Sequence, residues 1–127
     1  SESLRYEVGP LGIDVVIMEP GPFATDFGSN VQPGRGDGLS EPYAHVFGFQ
    51  EGFIKMHGEI AQDPALFSEA LEEVIDLPAG RRPLRVIPGM DFGMQHLNEA
   101  GEAVRRGVMD QMGLTEWDGA KGRAAEG

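Results

Sequence analysis

Few side chains in this chain of 127 residues can do acid–base or nucleophilic chemistry: three histidines (His45, His57, His96), two tyrosines (Tyr6, Tyr43) and no cysteine. Without cysteine there is no thiolate nucleophile, no disulfide framework and no sulfur ligand for a metal. His57, Glu59 and His45 have the residue types of a metal cluster but not the spacing of HExxH or a comparable motif. Surface or substrate-loop histidines are the preferred reading, and no metal site is expected. Ser29, His45 and Asp26 have the types of a hydrolase triad, yet no Gly-x-Ser-x-Gly elbow presents the serine. A hydrolase is the remote reading. Arg35-Gly36-Asp37 spells an adhesion tripeptide, which a glycine-rich loop produces by chance.

A different kind of signal stands at Glu19-Pro20-Gly21-Pro22, followed by Phe23 and Thr25. It closes an apolar run, Ile13 to Met18, rich in β-branched residues, which fits a strand buried on both faces of a parallel sheet. Ligands of open parallel α/β sheets bind beyond the carboxyl ends of the strands. Gly21 permits close backbone approach there, and the amide near Phe23 with the Thr25 hydroxyl can address a polar ligand. The competing reading is a plain turn, with Thr25 as a helix cap.

The elements that would position these residues follow from periodicity and breakers. Ser1 to Val8 reads as a helix, stopped by Gly9, Pro10 and Gly12. Gly28 to Pro42 reads as a long mobile loop, and Tyr43 to Ile60 as one or two helices over a hydrophobic pocket. Phe47, Phe49, Phe53 and Phe67 line such a pocket or simply pack, and Met56, Met90, Met94, Met109 and Met112 read as core or pocket lining. Asp63 and Pro64 open the clearest helix, with Leu66, Phe67, Ala70, Leu71, Val74 and Ile75 as one stripe. Leu84 to Ile87 is a second short strand, closed by Pro88-Gly89. A last helix spans Phe92 to Met112, with Met94, Leu97, Val104 and Val108 at helical spacing. Thr115 to Gly127 reads as a tail, disordered unless it docks. The order strand, helices, strand is a βαβ unit.

Ten basic residues against twenty-one acidic ones give a net charge of −11, which repels phosphate backbones and anionic lipid. Neither a nucleic-acid nor a membrane partner is expected. No apolar run reaches membrane-spanning length and no signal peptide opens the chain, so a cytoplasmic setting is expected. The start at Ser1, directly inside a helical pattern, reads as truncated or processed.

The stretch SESLRYEVGPLGIDVVIMEPGPFATDF resembles the segment that follows the catalytic Tyr-x-x-x-Lys of short-chain dehydrogenases/reductases. Ser3-Leu4-Arg5-Tyr6-Glu7, Gly12-Ile13, Pro20-Gly21 and Thr25 carry the likeness in order and spacing. It continues more loosely to about Met112, through Asp63-Pro64 and through Pro83-Leu84-Arg85-Val86 with Gly89. The resemblance implies an α/β fold: the C-terminal part of a Rossmann-like doubly wound parallel sheet, a βαβ unit with flanking helices, the N-terminal nucleotide-binding half absent. It implies a partial domain over residues 1–113 and a flexible polar tail over 114–127.

The same resemblance implies that Pro20, Gly21, Phe23 and Thr25 line the nicotinamide and nearby phosphate of NAD or NADP. It also implies that the chain alone is inactive as a dehydrogenase. Tyr6 and Tyr43 lack a lysine four residues on, and Lys55 and Lys121 lack the tyrosine, so no catalytic residue is assigned. No Gly-x-x-x-Gly-x-Gly loop follows a strand, so weak or no cofactor binding is expected. The expected function is the nicotinamide-side and substrate-binding segment of an alcohol/carbonyl oxidoreductase. A non-catalytic self-associating module is the alternative. Homo-oligomerisation is expected, because a strand apolar on both faces with an open edge invites pairing.

Overall fold

The computed structural model describes residues 1–30 and 42–120. The middle of the expected Gly28–Pro42 loop with its Arg35-Gly36-Asp37, the Phe47 side chain, and residues 121–127 with Lys121 lie outside the described residues. Helix α1 spans Glu2–Val8, and a 3-10 turn at Gly9–Leu11 leads through Gly12, at φ 83°, into strand β1, Ile17–Met18. Helix α2 is continuous over Ala44–Ile60, and α3 covers Ala65–Asp76. Strand β2, Arg85–Val86, is followed by α4, Met94–Gln111, and a 3-10 turn at Thr115–Trp117.

The architecture is mixed α/β, mostly helical, with one two-stranded parallel sheet among the described residues. Ile17 pairs with Arg85 and Met18 with Val86. Both strands are shorter than the apolar runs Ile13–Met18 and Leu84–Ile87 that announce them. Ladder bonds need a neighbour, and only the end of the first run and the middle of the second meet. Nor is β1 buried on both faces as expected: its residues are only partly covered, and Ile13 is 52% exposed. A lone pair of strands has no neighbouring layer on every side to bury them.

Asp63 begins α3 as its position suggests, its Oδ1 accepting the Ala65 amide at 2.9 Å. Of the α3 stripe Val74 is buried, while Leu66, Leu71 and Ile75 stay exposed. At the other end Arg82 donates from Nε to the Val74 carbonyl (3.0 Å) and from Nη2 to that of Ile75 (2.9 Å). These are two of the carbonyls a helix end leaves unpaired.

The centre of the molecule is ionic as much as apolar. Arg5, 4% exposed, donates to Asp118 Oδ1 (2.8 Å), the Val15 carbonyl (2.8 Å) and the Arg82 carbonyl (3.0 Å). Asp118 Oδ2 accepts from Arg105 Nη2 at 2.7 Å, and Arg105 also holds Glu102 and the Tyr6 hydroxyl. Asp14 accepts from the Gly80 amide (2.8 Å), the Ala120 amide (2.7 Å) and Arg82 Nη1 (3.2 Å). Burial pushes the Asp14 carboxyl up, but the two amides with Arg5 and Arg82 bring it below its ordinary value. Asp118 behaves alike: burial raises it, and Arg105 and Arg5 outweigh that. Residues 114–120 therefore dock: Asp118 reaches two arginines, and Gly119 and Ala120 are buried against the start of the chain. At Gly119, with φ 90°, a side chain would be crowded, since a Cβ there would meet Arg5 Nη2 at 3.0 Å.

Candidate ligand site at the strand ends

The pairing of β1 and β2 runs on past both strands. Glu19 donates its amide to the Val86 carbonyl (2.9 Å) and Gly21 to the Pro88 carbonyl (3.2 Å), so the two Pro-Gly exits lie side by side. Gly21 is required by this approach, because a Cβ there would stand 2.2 Å from the Met90 carbonyl oxygen. Gln62 joins the exits to the start of α3. Its amide donates to the Pro22 carbonyl (2.9 Å), its carbonyl accepts from Ala24 (2.9 Å), and its Oε1 accepts the Met90 amide (2.5 Å).

Between the exits opens a cavity of about 340 Å³, lined on one side by Glu19, Pro20, Gly21 and Pro22. Ile87, Met90, Asp91, Phe92 and Met94 form the opposite wall, and His57 of α2 looks in from the third. The volume lies at the low end of ligand pockets, about 300–1,000 Å³, with room for a ring but not a dinucleotide. Phe92 takes a left-handed φ of 49° beside Gly93 at 84°. That conformation is costly for a bulky residue. It sets the Asp91 carboxylate over the amides of Gly93 (3.1 Å) and Gln95 (3.2 Å), and these hold its carboxyl below the usual range. Glu19 is tied to Arg85 Nε (3.1 Å) and Asn98 Nδ2 (2.6 Å), and Arg85 pairs with Glu2 as well.

Comparison with known proteins adds nothing here. No protein-family model, curated protein or solved structure matches the chain.

Of the residues singled out from sequence, Pro20 and Gly21 line the cavity. The Phe23 ring turns from it and packs edge-on against Phe67, centroids 6.2 Å apart, over Gly89. Thr25 is exposed outside the lining, its Oγ1 accepting the Phe27 amide at 3.4 Å. Phe49 and Phe53 stack on each other, centroids 6.0 Å apart, and both stay exposed. Ser29 spends its hydroxyl on the Asp26 carbonyl (2.7 Å), and no hydrogen bond to His45 is present among the described residues. No group of three or more His, Cys, Asp or Glu side chains suited to a metal ion occurs among the described residues. Nor is any helix there long and apolar enough to cross a membrane.

Gln62 and Asp91 escaped the sequence reading. Asp91 had a usable signal, an Asp just before a helical pattern. A glutamine between Ala61 and Asp63 announces nothing, since its partners are 28 and 40 residues away in the chain.

Proposed function

We propose that this chain is the nicotinamide-side and substrate-binding segment of an NAD(P)-dependent short-chain alcohol/carbonyl oxidoreductase, working in the cytoplasm within a Rossmann-like doubly wound sheet. The observation that carries the reading is the cavity at the carboxyl ends of two parallel strands, walled by the Pro20-Gly21 exit. The residues fit the nicotinamide half of the cofactor: Pro20 and Gly21 would flank it, with Phe23 and Thr25 just outside. That group would supply the hydride acceptor or donor. Nothing among the described residues suits the adenosine or pyrophosphate half, so affinity for whole NAD or NADP is weak.

Amide chemical-shift mapping with nicotinamide, the uncharged ring of that half, tests this. The amides of Gly21, Thr25 and Met90 should shift at millimolar ligand, and the chain should show no alcohol dehydrogenase turnover. Shifts confined to another face, or turnover abolished by a point substitution in this chain, would refute the proposal. A second reading, a non-catalytic self-associating module, draws support from the many exposed apolar side chains, Leu11, Phe27, Phe49, Leu97 and Val104 among them.

A further inference from the structure

We infer that His57 is the hydroxyl-recognising group of the strand-end cavity and that it makes the cavity select an alcohol over the corresponding ketone. This rests on the reading above of the strand-end cavity, with the substrate seated beside the nicotinamide. His57 Nδ1 lies 3.1 Å from the Phe53 carbonyl oxygen. A carbonyl oxygen only accepts, so Nδ1 carries the proton. A neutral imidazole has one N–H, and Nε2 is therefore left as a lone-pair acceptor. The Phe53 ring, its centroid 3.9 Å from that of the imidazole, holds the ring in place.

The carboxylates of the lining already accept one hydrogen bond on each oxygen, which weakens them as acceptors for a ligand hydroxyl beside the unbonded Nε2. Both Glu19 oxygens accept from Arg85 and Asn98, and both Asp91 oxygens from backbone amides. Their negative charge also disfavours an anionic ligand. Ile87, Met90 and Met94 offer apolar surface beside them. The ligand that fits is a small, uncharged, largely apolar molecule with one hydroxyl. Its O–H donates to Nε2. A ketone has no hydrogen to give and would set one lone pair against another.

The test uses the full 127-residue chain, ¹⁵N-labelled. Long-range ¹H–¹⁵N spectra at mildly alkaline pH, assigned by His57→Gln, should show the Nδ1–H tautomer at His57. Cyclohexanol should shift the Nε2 signal and bind about fivefold tighter than cyclohexanone, the worth of one net hydrogen bond. Cyclohexanecarboxylate should not bind measurably. His57→Leu should abolish the preference, whereas His57→Gln, whose amide oxygen accepts, should keep part of it; far-UV circular dichroism confirms that both stay folded. An Nε2–H tautomer, equal affinities for alcohol and ketone, or a preference that survives in His57→Leu would overturn the inference while leaving the cavity reading intact. If neither probe shifts the Gly21 and Met90 amides, the cavity reading falls, and the inference with it.

Discussion

Arg5, Asp14, Asp118 and Arg105 tie both ends of the described chain to the sheet. Asp118 bridges α1 to α4 through two arginines, beside the direct Arg105–Tyr6 contact, with its side chain 18% exposed. Removing one partner of such a pair leaves the other charge poorly solvated. Asp118→Asn should therefore cost about 2 kcal/mol at neutral pH, the worth of hydrogen bonds to charged groups. The carboxyls of Asp14 and Asp118 are both lowered from the ordinary 3.8. Their contribution is then complete above about pH 4 and is lost as the pH falls through the depressed folded values. Urea unfolding midpoints from pH 7 down to 3 should fall for the parent chain and fall less steeply for Asp118→Asn. Identical slopes would remove Asp118 from the acid response.

At the level of elements, glycine acts with opposite sign in two places. At the end of β1, Gly21 lets the two Pro-Gly exits touch, and a methyl there meets the Met90 carbonyl. Inside α4, Gly107 has nothing within 4 Å of a built Cβ. Helix interiors prefer alanine to glycine by about 0.5–1 kcal/mol, so Gly107→Ala should stabilise by that amount. Gly21→Ala should instead cost about 2 kcal/mol, since overpacking of a close contact forces the backbone apart. Paired denaturation curves decide it; two changes of the same sign would show that the exits do not pack as described. The helices were legible from period and breakers, α2 as a single rod only once folded. Strand lengths were not, because hydrogen-bonding partners far away in sequence set where a ladder starts and ends.

The whole molecule exposes 9727 Å². On α4 the side chains of Leu97, Val104 and Val108 are turned to solvent, with Leu97 62% and Val104 68% exposed. The neighbouring face, through Asn98, Glu102, Arg105 and Met109, holds α4 to the fold. Self-association at micromolar concentration is the expected outcome. The double variant Leu97→Glu, Val104→Glu should weaken it at least about tenfold, a change of about 1.4 kcal/mol, because both side chains are mostly exposed and carry little intramolecular packing to lose. Sedimentation velocity checks both points, and a monodisperse parent monomer would count against them.

Local order and chemistry followed from the residues alone. Prolines and glycines punctuate the chain wherever the backbone must turn, and apolar spacing marks each helix, because both effects act within a few residues. Only tertiary structure decided which of those residues meet. Pro20 and Gly21 came to a cavity while Phe23 went to Phe67 and Thr25 to the surface, because the position of Met90, some 65 residues further on, shapes that wall. The docking of Asp118 against Arg5, 113 positions apart, was beyond any local pattern. A charge on a polar tail looks solvated until the fold brings two guanidinium groups to it, and burial of that kind belongs to the folded chain and not to the sequence.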